Sequence, residues 1–454
     1  MTKFSPFLTF LLLLTPAVVF AQKKSPNIVF ILADDMGREC IGAYGSTYKT
    51  PNIDKLAKEG LKFNYGFAQP LCTPTRVQLM TGKYNYKNYS QFGHLNQDQK
   101  TFAHLAKEAG YATAIAGKWQ LGANNKLPKH FGFDQYCLWQ LDKPRRDGER
   151  YAKPLIDKDG EILKATDDDY GPDIFVNYML DFIEKNKNGK FLAYYPMALV
   201  HDPFYPTPDS KSWKSDVAGR QKSDTLNFRD MVAYSDKNVG KIIQKLKDLG
   251  IYENTIIIFT GDNGTGRPIV TPMKNGSTVK GGKGLTIDRG HHVPLIVNWG
   301  SGRYKTHETD NLIDFTDMLP TLAEAMQVKV PAEWDTDGHS FLPQIKGEKG
   351  KPRDWIFSHY QPIHSEAANK QSARFIRDHH FKLYSDGRFY DLEKDIEEKN
   401  PVAEGKAGAA GEKRRKVFQA ELAKLPPWKF GDPGIPKVIL PGLEPDPAFA
   451  DKAD

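Results

Sequence analysis

Short apolar runs, rich in β-branched and aromatic residues and free of charged ones, recur along the chain. They cover residues 27–32, 111–116, 191–200, 255–260 and 295–299. Continuous apolar runs of this length, without alternation, are typical of strands that are covered on both faces. The sequence therefore predicts a sheet that lies between two other layers.

Segments with helical spacing separate these runs. Residues 101–109 and 229–249 carry apolar side chains at intervals of three and four, and Gly250 follows the second segment as a stop signal. Strands that alternate with helices indicate a largely parallel sheet. The pattern predicts an α/β fold, a three-layer sandwich.

The pattern changes after about residue 347. Short strand-like stretches occupy residues 372–377, 381–385 and 389–392, with Asp386 and Gly387 as a hairpin signal, and a helical stretch covers 411–425. We expect a small antiparallel sheet with a packed helix. The predicted division is a large domain at 22–347 and a C-terminal subdomain at 348–454, whose tail from Pro426 is irregular and rich in proline.

The N-terminus has the features of a secretory signal peptide at residues 1–21. Lys3 is positive, residues 7–20 are mostly apolar, and Ala21 completes a small-x-small cleavage site. A membrane anchor is the alternative, but the run is shorter than the roughly 20 residues that a bilayer needs. We expect export to the periplasm or the extracellular space, with no membrane span after cleavage.

Composition adds modest constraints. The net charge of +7 suits an anionic substrate, and no basic stripe interleaved with aromatic residues indicates nucleic-acid binding. Three cysteines cannot form a disulfide framework. Cys40 and Cys137 can pair or stay free, and we expect free thiols because a chain of this length needs no cross-link.

The predicted strands run into polar residues at their carboxyl ends, where parallel sheets gather functional groups. These residues are Asp34 and Asp35, Lys118, His201, and Asp262 with Asn263. Taken alone, an Asp-Asp or an Asp-Asn pair ordinarily marks a turn. Brought together at one sheet edge, Asp34, Asp35, Asp262 and Asn263 offer the hard oxygen ligands that suit Ca²⁺ or Mg²⁺ rather than zinc.

Cys72 precedes a predicted helix. Thr73 can act as the N-cap and Pro74 as the first helical residue, which places Cys72 just before a helix N-terminus. Backbone N–H groups at that position favour an anion. A buried structural thiol is the alternative interpretation.

Residues 72–76, Cys-Thr-Pro-Thr-Arg, followed by Thr81 and Gly82, resemble the type I sulfatase signature Cys-x-Pro-x-Arg. Other segments resemble sulfatase motifs in their usual order: 32–37, 116–119, His201 with Pro203, 236–263, 281–284, and Gly290 with 293–294. The resemblance covers about residues 26–395. It implies an alkaline-phosphatase-like fold and a cation that is usually Ca²⁺, with Mg²⁺ as the alternative.

The resemblance also implies roles for single residues. A maturation enzyme would oxidise Cys72 to formylglycine, whose aldehyde hydrate attacks sulfur with one hydroxyl and regenerates the aldehyde through the other. The implied assignments are Asp34, Asp35, Asp262, Asn263 and the modified Cys72 as metal ligands, Arg76 as support for the hydrate, Lys118 and Lys283 on the sulfate oxygens, and His201 as the acid for the leaving alcohol.

Two positions depart from the family pattern. Gln120 stands where a histidine normally contacts the formylglycine hydroxyl, and glutamine cannot exchange a proton near neutral pH. His291 and His292 stand where a Gly-x-Arg-x-Pro pattern is common, and either could compensate. We expect Gln120 and His292 to contribute to substrate binding. Thr75 replaces the commoner serine of the signature.

Together these features predict an exported sulfatase that acts on a sulfated carbohydrate. A phosphate or phosphonate ester hydrolase of the same superfamily is the first alternative, because lysine, arginine and a cation bind phosphoryl and sulfuryl groups alike. A non-catalytic binder of sulfated glycans is the second, and Gln120 is the residue that suggests it.

Overall fold

The computed structural model describes residues 25–139, 141, 150–214, 217–300 and 307–445. The predicted signal peptide, residues 1–21, lies outside these ranges. Within them, no helix combines the length and the apolar character needed to cross a membrane.

The strands are β1 Asn27–Ala33, β2 Leu61–Phe67, β3 Ala112–Lys118, β4 Gln135–Trp139, β5 Ile156–Lys158, β6 Glu161–Ile162, β7 Phe191–Pro196, β8 Thr255–Gly261, β9 Val270–Pro272, β10 Thr278–Lys280, β11 His292–Trp299, β12 Glu308–Asp314, β13 Ile356–Tyr360, β14 Ala373–Arg377, β15 Phe381–Tyr384 and β16 Phe389–Asp391. The α-helices are α1 Pro51–Glu59, α2 Cys72–Thr81, α3 Asn85–Asn88, α4 Phe102–Glu108, α5 Leu127–His130, α6 Gly171–Lys185, α7 Val217–Arg220, α8 Phe228–Asp248, α9 Asp288–His291, α10 Met318–Met326, α11 Leu342–Ile345, α12 Glu366–Asn369 and α13 Gly408–Leu422.

The large sheet has ten strands in the order β12-β2-β11-β8-β1-β7-β3-β4-β5-β6. Its centre is parallel, because β1 pairs in that sense with β7 and β8, and β3 with β7 and β4. The strand β11 is antiparallel to both of its neighbours, β2 and β8. The predicted α/β fold with a largely parallel sheet is confirmed, and β11 is its exception within the predicted strands.

Both faces of the sheet are buried, as the continuous apolar runs predict. Along β1, Val29 and Ile31 join one core cluster, and Ile28 and Phe30 join the other. Helices α1, α6 and α8 cover the first face, whereas α2, α4 and α10 cover the second. The helices predicted at 101–109 and 229–249 correspond to α4 and α8.

The C-terminal part forms an antiparallel sheet in the order β13-β14-β15-β16, as predicted. Gly387, with φ of 92°, forms the turn between β15 and β16, where a left-handed conformation favours glycine. Phe418 of α13 packs on Phe389 of this sheet. Phe67 of β2 shares a further cluster with Phe375 of β14, so the small sheet packs against the large one.

The cysteines agree with the expectation of free thiols. Cys40, Cys72 and Cys137 are all buried and unpaired. Burial raises the pKa of the Cys137 thiol to about 12, which keeps it protonated and unreactive.

Candidate active site

Parallel pairing brings the predicted acidic residues together. The register of β1 and β8 aligns Ala33 with Gly261, so the residues that follow each strand meet at one edge. The backbone N–H of Asp262 donates to the carbonyl of Ala33 (3.0 Å), and that of Asp35 donates to Oδ1 of Asp262 (3.1 Å). Lys118, the last residue of β3, lies at the same edge.

The side chains at this edge form a buried group with the donor atoms of a cation site. Ligand atoms of Asp34, Cys72 and Asp262 lie within 4.8 Å of one another, as do those of Asp34, Asp35 and His201. Asn263 donates through Nδ2 to Asp35 (2.8 Å), and its buried Oδ1 has no hydrogen-bond partner among the described residues. Buried polar atoms are rarely left without a partner. Carboxylates together with an orphaned amide oxygen therefore fit a hard cation.

The carboxylates differ in their electrostatic surroundings. Burial, followed by the charge of Asp34, raises the pKa of Asp262 above its ordinary value. Burial also acts to raise that of Asp34, but the surrounding cations, Lys118 above all, outweigh it and bring the pKa of Asp34 well below its usual range. Neighbouring buried carboxylates repel, and a divalent cation between them would relieve that repulsion.

Cys72 is the first residue of α2, and Leu71 is its N-cap. The prediction that Thr73 caps the helix is therefore wrong. The backbone N–H of Thr75 bonds to the carbonyl of Leu71 (3.2 Å), which closes the first helical turn two residues earlier than expected. The Thr75 hydroxyl accepts from the N–H of Gln69 (2.9 Å) and lies 2.9 Å from the Leu71 carbonyl. This hydroxyl fixes the loop that carries Cys72, and a serine could do the same.

Gln120 makes the contact that the family's histidine is expected to make. The Cys72 thiol is 1% exposed and lies 3.4 Å from Oε1 of Gln120. Gln120 has a φ of 50°, so the chain turns sharply after β3 and presents this side chain to the sulfur. Conversion to formylglycine would replace this sulfur by oxygen on Cβ, so the Cys72 sulfur marks the place that an aldehyde or hydrate oxygen would take.

The cations surround the acidic group. Lys118 Nζ donates to both carboxylate oxygens of Asp34 (3.0 and 2.9 Å), and Lys283 Nζ donates to Asp35 (2.6 Å). Arg76 donates through Nη1 to the Lys118 carbonyl (2.9 Å) and lies 3.4 Å from Asp262. Its buried Nη2 has no partner in the described part of the chain, so one donor remains for another oxygen.

Lys283 and His201 form a second polar contact, with Nζ 2.9 Å from Nε2. Burial lowers the pKa of His201. Burial also acts to lower the pKa of Lys283, but Asp35 and its acidic neighbours together outweigh it and raise that pKa. A neutral imidazole then accepts from Lys283 at Nε2 and carries its proton at Nδ1. That atom lies 2.6 Å from the carbonyl and 2.9 Å from the carboxylate of Asp202.

Arg150 is a site residue that sequence reasoning missed. Its side chain is 1% exposed, lies 4.0 Å from the Asp34 carboxylate and stacks 4.0 Å from the centre of the Trp139 ring. Its Nε and Nη1 atoms have no hydrogen-bond partner among the residues that the structure describes. The polar stretch 142–150 contains several basic residues, and no pattern in it distinguishes Arg150.

His292 is not brought into this group. Its ring stacks on Tyr65 and its hydrogen-bond contacts are with Arg38, Asn64 and Asp288. The neighbouring His291 is buried beside the rings of Phe67 and Phe375. No described contact joins either histidine to Cys72, because His291 ends α9 against Phe375 of the small sheet and His292 begins β11 beside Tyr65.

A cavity of about 650 Å³ opens beside the acidic group. Its walls include Leu71, Asp202, Phe204, Arg267, Lys283, Gly284 and His364. Leu71 precedes the candidate nucleophile, and Lys283 contacts Asp35, so the cavity leads directly to the buried group.

Comparison with known families decides the identity of this arrangement. A family model described as Sulfatase matches residues 26–328 of the 454-residue chain. The chain belongs to the sulfatase family. A second model, described as N-sulphoglucosamine sulphohydrolase, C-terminal, matches residues 282–423 of this sulfatase.

Relatives of this sulfatase include arylsulfatases. It is 28% identical to arylsulfatase J of Mus musculus over 78% of this chain and 61% of that protein, so it spans less than two thirds of that relative. It is also 28% identical to arylsulfatase A of Homo sapiens, over 96% of this chain and 97% of that protein. These names support sulfuric ester hydrolase activity.

Among solved structures, Ps i-CgsB is similar to this sulfatase with a TM-score of 0.72 and 26% identity, over 88% of this chain and 92% of that one. The similarity supports the alkaline-phosphatase-like fold. Members of the family generally use a formylglycine and a divalent metal ion, and the buried acidic group offers a place for such an ion.

Proposed function

We propose that this sulfatase hydrolyses a sulfate ester of a carbohydrate, with a formylglycine made from Cys72 as the nucleophile. Ca²⁺ is the proposed cation, held by Asp34, Asp35, Asp262 and Asn263 together with the converted side chain. One observation carries the proposal: at one edge of the sheet, the buried Cys72 thiol lies close to carboxylates, and lysine side chains pair with these carboxylates.

The proposed reaction needs a formylglycine and a dication, and residues of this chain position them and bind the sulfate. A formylglycine hydrate offers two hydroxyls on one carbon, and a dication offsets negative charge and polarises sulfate oxygens. Arg76 holds the main chain of β3 in place through the Lys118 carbonyl. Lys118 and Lys283, which pair with Asp34 and Asp35, are the donors available to a sulfate oxyanion.

His201 is the proposed acid for the leaving alcohol. Its Nε2 accepts a hydrogen bond from Lys283, so the pair already holds a proton on the side of the cavity. His201 can pass a proton to the alkoxide once Lys283 has donated one to Nε2, and because burial lowers the pKa of His201 the imidazole gives that proton up readily. Tyr151 fixes the backbone at this point, because its hydroxyl lies 2.8 Å from the Ala198 carbonyl and 2.6 Å from the His201 carbonyl and shares its one proton between them.

A carbohydrate substrate is supported by the cavity and by one relative. About 650 Å³ is enough for a sugar residue. Ps i-CgsB, the similar structure, is also known in complex with k-i-k-neocarrahexaose. Export of this sulfatase is part of the proposal, and the apolar segment at residues 7–20 supports it.

The deciding experiment compares matched sulfate and phosphate esters with protein produced together with a formylglycine maturation enzyme. We expect the sulfate ester to have a kcat/KM at least about 10²-fold higher, and peptide mass analysis to find Cys72 converted. A preference for the phosphate ester would favour the phosphohydrolase alternative. Binding of sulfated glycans without any turnover by the converted protein would favour the non-catalytic one.

Replacing Gln120 by histidine tests whether proton exchange beside Cys72 limits turnover. The Gln120 amide already reaches the sulfur at 3.4 Å, so a histidine would stand beside the converted residue. General acid–base groups contribute about 10²–10⁴ in rate, and we expect Gln120→His to raise kcat by at least about tenfold. Steady-state sulfate release measures the change, with Gln120→Asn as the control that cannot exchange a proton. An unchanged kcat would mean that another group does this work.

A further inference from the structure

Arg267 is a cation in the wall of the active-site cavity that the proposed reaction does not use. Its Nε donates to the main-chain carbonyl of Lys283 (2.8 Å), which fixes the guanidinium beside the cavity. In the part of the chain that the structure describes, Arg267 pairs with no carboxylate. The Lys283 amine instead bonds to Asp35 and His201. Arg267 therefore lies outside the group of cations around the candidate nucleophile.

The free end of Arg267 lies beside Gly284, close to Leu71. Gly284, with φ of 78°, marks this place: a Cβ there would lie 3.1 Å from Arg267 Nη2, 3.8 Å from Leu71 Cδ2 and 3.9 Å from the Tyr360 hydroxyl. Leu71 immediately precedes Cys72. Thus an arginine donor, the residue before the nucleophile and a tyrosine hydroxyl meet around Gly284, in the wall of the cavity.

The Tyr360 hydroxyl is a second unused donor at this place. The residue is fully buried, and its hydroxyl has no hydrogen-bond partner among the described residues. Burial raises the pKa of Tyr360, so the group keeps its proton and can donate. A buried donor without a partner beside an unpaired guanidinium is suited to an anionic oxygen.

We propose that Arg267 and Tyr360 form a subsite for a second anionic group on the sulfated sugar, either another sulfate or a carboxylate. This inference rests on the proposed function and narrows its substrate to a saccharide with two negative groups. The reacting sulfate would lie with Lys118 and Lys283, whereas the second group would lie beside Gly284, at Arg267 and Tyr360. Asp202, which also faces the cavity, pairs with His201 and leaves Arg267 unneutralised.

A matched panel tests the subsite. It contains sulfated glucosamine, galactosamine and galactose, each as a monosulfate, as a disulfate and as a monosulfate linked to a uronic acid. For the sugar that is cleaved fastest, we expect Arg267→Gln to lower kcat/KM for the doubly anionic forms by about 10- to 100-fold. The monosulfate should change by less than about twofold, because Arg267 contacts none of the residues proposed to carry the chemistry except the main chain of Lys283.

Controls separate this role from general effects. Arg388→Gln removes the same charge from the β15–β16 turn, where Arg388 pairs with Asp386. For each sugar, it should leave unchanged the ratio of kcat/KM for the doubly anionic form to kcat/KM for the monosulfate. Arg267→Lys keeps the charge but loses the planar fork, so it should recover part of the preference. Tyr360→Phe should lower the same ratio by several fold. If kcat/KM fell equally for every saccharide, Tyr360 would not belong to the subsite, and its hydroxyl would instead act on the nucleophile at residue 72.

Binding of the same saccharides to the Cys72→Ala protein tests the subsite without any turnover. Calorimetry with the same saccharides should find the doubly anionic forms bound at least tenfold more tightly, with that advantage lost in Cys72→Ala/Arg267→Gln. Equal affinity for singly and doubly anionic saccharides would overturn the subsite, whatever the activity. Release of sulfate from none of the panel, with the charge preference in binding intact, would instead count against the proposed function alone.

Discussion

Cys72→Ser, produced with the maturation enzyme, is expected to lose catalytic turnover while keeping its fold. Serine presents one hydroxyl where the proposed hydrate presents two, so it can attack sulfur once and cannot release the product. The residue is 1% exposed and begins α2, and replacing sulfur by oxygen there removes little buried volume. We expect steady-state sulfate release to fall by at least about 10³-fold, as for other removed nucleophiles.

Cys137→Ser provides the matched control. Cys137 is also fully buried but lies in β4, away from the acidic group, so its replacement should leave kcat within about twofold. Circular dichroism and thermal unfolding check the fold of both variants. Release of many equivalents of sulfate by Cys72→Ser would contradict the role of a formylglycine.

Asp262→Asn is expected to abolish both activity and stabilisation by Ca²⁺. The amide keeps the shape of the side chain and can still accept from the Asp35 N–H, but the charge that would hold a cation is gone. Ligands that bind only the native state stabilise it by about 2.7 kcal/mol at a hundred times their Kd. Adding Ca²⁺ to chelator-treated wild type should therefore raise Tm by several degrees, and this shift should largely vanish in the variant.

The control for this experiment is Asp236→Asn. Asp236 is a buried carboxylate of α8 that accepts from the N–H groups of Asn52 and Ile53, remote from the proposed ligands. Its replacement should lower Tm without removing the Ca²⁺-dependent shift. If Asp262→Asn kept the full shift, or if Mg²⁺ alone produced it in wild type, the assignment of Ca²⁺ to these ligands would be wrong.

The sequence predicts most of this site because the geometry of parallel strands is general. Asp34 and Asp262 follow strands that pair in register, so a continuous apolar run and its polar end are enough to bring them together. Strand β2 was missed because its partly exposed Lys62 and Asn64 interrupt the apolar pattern. Strand direction was missed as well, since an apolar run such as β11 is equally compatible with parallel or antiparallel pairing.

Side chains that arrive through irregular segments were harder to predict. Arg150 reaches Asp34 from a polar stretch without helical or strand periodicity, and His292, the first residue of β11, makes its hydrogen-bond contacts with Asn64 and Asp288 instead. The start of α2 depends on whether the Leu71 or the Thr73 backbone closes the first turn, a choice that the Thr75 hydroxyl decides by its contacts with Gln69 and Leu71. Such contacts depend on tertiary structure and leave no local signal.

The burial of Cys72 sets an order of events in time. Once α2 has formed and the residues after β1 and β8 have closed around it, the thiol is out of reach of any second protein. An enzyme that converts this cysteine must therefore act on the chain before it folds. Under the proposed conversion, maturation and folding compete, and conditions that speed folding would leave a larger fraction of correctly folded but permanently unconverted molecules.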